Sequence, residues 1–228
     1  MPVKYVAQIK NVREICLVGS ADFEFWKTRL APLRLSPTNF AGSARVFISA
    51  VKLKWMGIAF EELSIAIPID PPDSGTHSVY LVSAFSTSRM LAWCERTFFQ
   101  TPYQHAPITL QADQPWSFEL REGLHSTIAA QSQRTAPAAT VEDDWSVSIF
   151  LPTAHGSAKP KFFHAKLTGP VQVAPFTATS GTFKLQPSPQ QPAIQLLVDS
   201  HFASIEWRVR PNATHARSKT LTYSTAAT

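Results

Sequence analysis

Three observations on the 228-residue chain predict an α+β fold that is mainly β. Short segments rich in β-branched and aromatic residues recur from Val12 to Arg210, and helical spacing is confined to two early stretches. Eighteen prolines and eight glycines are scattered as turn punctuation rather than clustered in linkers. A hydrophobic fraction of 44% with only 16% charged residues supplies a core and argues against long disordered stretches.

Residues 12–18 read as a strand. Ser20 then caps a helix over 21–30, with Asp22 in its first turn and Pro32 as its stop. Residues 45–55 form the next strand, alternating apolar and polar from Val51 to Trp55, and Gly57 ends it. In strand 59–69 the pleat puts Glu62, Ser64, Ala66 and Pro68 on one face and Glu61, Leu63, Ile65 and Ile67 on the other. The first face, small and polar, suits a cavity lining. A turn at 71–76 leads into strand 77–85.

Between Ser86 and Phe99 the period changes. Met90, Leu91, Cys94 and Phe98 recur at helical spacing, capped by Ser86 or Thr87 and stopped by Pro102. Strands return at 116–120, 126–131, 145–151, 162–172, 182–185 and 194–210, separated by loops at 132–142 and 186–192. Neither loop is long enough for a domain linker, so residues 1–228 are read as one domain, α+β or a β barrel.

The formal charge of +5 is spread along the chain apart from mild clusters at Lys52 and Lys54 and from Arg208 to Lys219. That distribution fits a solvated surface and excludes an evident nucleic-acid patch. Cys16 and Cys94 lie in apolar contexts and read as reduced thiols. His164 and His201 have no second ligand at metal spacing, so no metal site is expected. There is no secretory signal pattern and no apolar run of membrane-spanning length, and a cytoplasmic protein with no membrane partner is expected. Neither a nucleophile elbow nor a glycine-rich phosphate loop is present.

Two segments carry a family likeness: Ala59-Phe-Glu-Glu-Leu-Ser-Ile-Ala-Ile-Pro-Ile and Cys94-Glu-Arg-Thr-Phe-Phe-Gln-Thr-Pro-Tyr-Gln. Together they resemble the active-site frame of the acetoacetate decarboxylase superfamily, in which a strand bears a catalytic glutamate before Ala-Ile-Pro and a helix leads into Pro-Lys-Lys. Residues 45–68 can be laid on the family's strand pair without a gap, and 165–168 and 200–202 resemble its closing strands. The resemblance implies a closed β barrel or cone with a few short helices, and a central cavity.

It also places Glu62 on the catalytic glutamate and Arg96 on the helix arginine. Tyr103 stands at the Schiff-base lysine and Gln104 at the second lysine. Thr97 replaces a glutamate and Gly19 an arginine. In that family the nucleophilic lysine is activated by a second cationic group beside it, and here both amines are replaced. The implied function is binding of a small organic molecule, an oxo acid or other carbonyl compound, with no cofactor. Glu62 and Arg96 are the candidate catalytic residues, and Tyr103, Gln104, Thr97 and His105 the candidate ligand contacts. A homo-oligomer is implied by the family. The alternative is a non-catalytic oligomeric structural or interaction protein on the same fold.

Overall fold

The computed structural model describes residues 2–70, 77–133, 139–152 and 161–223. The expected turn at 71–76 and the middle of the loop at 132–142 lie outside them. Strand β1 (Tyr5–Asp22) runs longer than the sequence pattern, and the chain enters helix α1 (Phe23–Leu30) only after it. Asp22 is therefore the cap in place of Ser20: its carboxylate accepts from the Phe25 N–H at 2.8 Å, and the helix buries Trp26 and Leu30.

The hairpin of β2 (Ser43–Trp55) and β3 (Ile58–Ile69) turns at Met56 and Gly57, both left-handed. β4 (His77–Ser86) pairs with β3, and a helical segment follows it. Ser88, not Ser86 or Thr87, caps helix α2 (Arg89–Cys94). The segment then widens into a π-helical turn, Glu95–Phe99, that ends at a left-handed Gln100. Leu91 and Ala92 are buried there while Met90 and Phe98 are exposed and Cys94 is half-buried, so Leu91 alone of the expected stripe is buried.

The next strands are β5 (Tyr103–His105), β6 (Ile108–Gln111), β7 (Ser117–Glu122), β8 (His125–Ser132), β9 (Ala139–Phe150), β10 (Lys161–Pro175) and β11 (Gly181–Leu185). Helix α3 (Pro192–Asp199) occupies the start of what the sequence suggested as one strand over 194–210. Its Ala193, Ile194 and Leu197 are buried at helical spacing behind a proline in the first turn. β12 (Ala203–Ser218) and the short β13 (Leu221–Thr222) complete the chain.

The larger sheet closes on itself. Its path runs β12-β1-β2-β3-β4-β9-β10, and β10 pairs back onto β12, with β13 and β5 attached beside β10 and β4. Every junction of the ring is antiparallel except β4 with β9, where His77 to Tyr80 run parallel to Val147 to Phe150. The mainly β class predicted from the sequence is the class observed. A second antiparallel sheet, β11-β8-β7-β6, packs outside the ring.

Alternation divides the ring strands between two environments. Leu63, Ile65 and Ile67 of β3 join Ile15, Leu17, Ile48, Trp116, Phe118 and Trp207 in the main core between ring and outer sheet. Each fully buried side chain of this kind stabilises the fold by roughly 1.5–3 kcal/mol. The opposite face looks into the ring. Phe47 of β2 meets Trp145 of β9 edge-on at 6.2 Å, a contact between strands that are not neighbours in the sheet. Gly19 is required for a local reason: a Cβ there would stand 2.2 Å from the Phe202 ring and 2.6 Å from the Ala203 carbonyl oxygen.

Candidate active site

The strand pleat positions Glu62. Because β3 turns Leu63, Ile65 and Ile67 outward, Glu62, Ser64 and Ala66 face the ring interior, where they keep some accessible surface. β5 pairs parallel to β4 with Tyr103 opposite Ala84, and the Tyr103 phenol lies 3.1 Å from Glu62 Oε2.

Burial pushes the Glu62 carboxyl up from 4.5 to about 8, and the negative charge of Glu95 adds to the shift. The hydrogen bond from Tyr103 and the charge of Arg217 oppose it. At neutral pH Glu62 therefore holds its proton for most of the time. Burial, reinforced by Glu62 and Glu95, pushes the Tyr103 phenol well above its ordinary value, so it too stays protonated. A buried acid poised near neutrality beside a phenol can give and retake a proton from a polar ligand.

The charged partner of this site is not the one the sequence suggested. Arg96 and Thr97 are exposed, and Glu62 is hydrogen-bonded to Tyr103 instead. In a π turn the backbone bond spans five residues, so the residues after Cys94 leave the α-helical register. Glu95 turns inward. Its carboxylate accepts from Arg217 Nη1 of β12 at 2.6 Å and from the Thr101 hydroxyl at 3.0 Å. The Arg217 guanidinium lies between the rings of Phe163 and Phe99, at 4.1 and 4.7 Å from their centroids.

Of the predicted contacts, the structure brings Tyr103 to Glu62. Gln104, half-buried, falls opposite Phe85 and by alternation on the other face of β5 from Tyr103, and His105 is exposed. Glu95, Thr101 and Arg217 were not foreseen. The one sequence signal for Arg217 was the alternation Ala213, His215, Arg217, which places all three on one face of β12.

Farther along the same strand lies a second charged cluster. Arg210 Nη1 donates to Glu14 Oε2 at 2.9 Å, Arg210 Nη2 pairs with Asp143, and the Ser49 hydroxyl donates to Glu14 Oε1 at 2.6 Å. Burial pushes the neighbouring Cys16 thiol up to about 12 and lowers His215, whose Nε2 is 3.9 Å from Glu14. Among the described residues no group of three or more His, Cys, Asp or Glu side chains is arranged to hold a metal ion. None of the helices of the described residues is long and apolar enough to cross a membrane.

No protein-family model matches the chain, and no curated protein is significantly similar to it in sequence. Solved structures are similar in fold. Acetoacetate decarboxylase from Legionella pneumophila superposes with a TM-score of 0.69 at 13% identity, covering 98% of this chain and 88% of that one. An acetoacetate decarboxylase-like enzyme from Sphingomonas wittichii RW1 gives 0.61 at 11% identity, over 95% and 92%. The enduracididine biosynthesis enzyme MppR, solved in complex with pyruvate, gives 0.64 at 10% identity, over 98% and 92%. The chain therefore has the fold of acetoacetate decarboxylase and the enzymes similar to it.

Proposed function

We propose that the ring binds a small carbonyl compound of the oxo-acid class beside Glu62 and Tyr103, and that Glu62 exchanges a proton with it. The observation that carries this reading is the Glu62–Tyr103 pair inside a partly accessible ring, with the carboxyl held near neutrality. The pyruvate complex of the similarly folded MppR supports the ligand class. With a 3-oxo acid, the bond to the carboxylate breaks as carbon dioxide leaves, its electron pair forms the enol double bond, and Glu62, as the protonated acid, delivers its proton to the carbonyl oxygen. As the carboxylate it takes that proton back when a proton from solvent adds to the enol carbon and the carbonyl re-forms. The Tyr103 phenol donates to whichever oxygen is the stronger acceptor.

Every lysine among the described residues is exposed or half-exposed, and none pairs with Glu62. The reading therefore uses no imine. The test is a panel of 2- and 3-oxo acids, followed for loss of substrate and carbon dioxide release, with borohydride added and intact mass read in parallel. Turnover by the wild type, its loss in Glu62→Gln with folding and binding retained, and no reduced adduct is the expected result. A reduced adduct, or full activity in Glu62→Gln, overturns the reading.

A second reading, self-association without chemistry, is favoured by a different observation. Met90, Trp93 and Phe98 are 53%, 52% and 66% exposed around the π turn, and the rings of Trp93 and Phe98 meet edge-on at 5.5 Å. Under it, Trp93→Glu shifts the sedimentation coefficient to that of a smaller species.

A further inference from the structure

Resting on the reading above, we infer that the side-on edge of Arg217 anchors the carboxylate of the molecule bound at Glu62. A guanidinium offers five N–H donors. In Arg217, Nη1 is committed to Glu95 at 2.6 Å, and aromatic rings lie over the group at 4.1 and 4.7 Å. Nε and Nη2 are buried and have no hydrogen-bond partner among the described residues. These two nitrogens form one edge of the guanidinium, and their N–H bonds run parallel at the spacing of the two oxygens of a carboxylate. Leaving charged donors unpaired in the interior is costly, and native structures rarely tolerate it without a ligand or water to complete the set.

Arg210, on the same strand, shows the contrast. Its Nη1 and Nη2 are both taken by protein carboxylates, Glu14 and Asp143, and Nε alone lacks a partner among the described residues, so no two-nitrogen edge is left open. Among the described residues no carboxylate occupies the Nε and Nη2 edge of Arg217. With the ligand in place one cation faces two carboxylates, Glu95 and the ligand's, the ratio that Arg210 already shows with Glu14 and Asp143, and Glu62 adds no third charge because it is largely protonated at neutral pH. The ligand's negative charge in turn favours the protonated form of Glu62, the form that donates to a carbonyl.

The test compares pyruvate with its neutral amide, pyruvamide, by calorimetry on the wild type and on Arg217→Lys. The lysine keeps a cation for Glu95 but removes the fork. Pyruvate is expected to bind roughly 10- to 100-fold more tightly than pyruvamide, and Arg217→Lys to erase that preference while leaving pyruvamide affinity unchanged. Equal binding of the two ligands by the wild type, or a preference that survives Arg217→Lys, overturns the anchor and leaves carbonyl binding intact. Binding of neither ligand overturns both. If Arg217→Lys fails to fold, the Arg217 Nε–H resonance of nitrogen-15-labelled wild type decides: a shift with pyruvate and none with pyruvamide supports the anchor, and the absence of that difference overturns it.

Discussion

Two arginines on β12 face the same interior and do opposite things. Arg210, with a side chain 5% exposed, is matched by Glu14 and Asp143, so one cation is held by two carboxylates and a serine fixes the first of them. Arg217 is matched by a single carboxylate, and Glu62, which feels the charges of both members of that pair, is held near neutrality by burial. The first cluster is the more nearly closed, since both terminal nitrogens are taken by protein and Nε alone lacks a partner among the described residues. The second is open, with acceptor capacity wanted on the arginine and a movable proton on the glutamate. A closed cluster specifies how strands meet; an open one is suited to a ligand.

The largest expected effect breaks the closed side. Arg210→Met leaves Glu14 and Asp143 without their cation in the interior and should lower unfolding free energy by about 3–5 kcal/mol in chemical denaturation. Loss of less than about 1 kcal/mol would mean that the cluster is not the clamp described. On the open side, Glu62→Gln should cost roughly 100-fold or more in turnover while the protein remains folded.

The same variant sharpens the comparison through pH. The native state holds the Glu62 proton more tightly than the unfolded chain, so its contribution to stability is fully present below about 4.5. That contribution is lost as pH rises through about 8. Relative to the wild type, Glu62→Gln should gain stability across that window, roughly 2–4 kcal/mol by pH 9. Urea denaturation of both proteins at pH 5 and pH 9 measures it, and taking the difference removes the contribution of His215. The smallest effect is expected at Arg96, whose exposed side chain belongs to neither cluster. Arg96→Ala should change stability by less than about 0.5 kcal/mol and leave pyruvate affinity unaltered.

Those expectations also measure what the sequence could disclose. The two faces of β3 were legible because a pleat of period two needs only the strand itself, and Glu62 followed from it. Tyr103 followed from the family likeness of the segment ending in Pro102. Arg96 was favoured over Glu95 because the family likeness lays it on the helix arginine, whereas here a π turn begins at Glu95 and it is Glu95 that reaches Arg217. For Arg217 the alternation along β12 gave a face but no partner, because Glu95 lies 122 residues away and only ring closure joins them. Helix α3 was taken for strand because Ile194, Leu196, Leu197 and Val198 are apolar in a run too short for periodicity to decide.

The closure of the ring by β12 also has a meaning in time. This strand pairs with β1 at one side and β10 at the other, and it carries both arginines; Arg210 finds Glu14 across 196 residues of chain. During synthesis, Glu14, Glu95 and Asp143 are all made before either cation exists. The early strands must wait with their acidic groups solvated until the last long strand leaves the ribosome. Contacts of such sequence separation fold slowly. Neither the clamp nor the open site can therefore be assembled from a nascent fragment, and a chain stalled before β12 would carry neither.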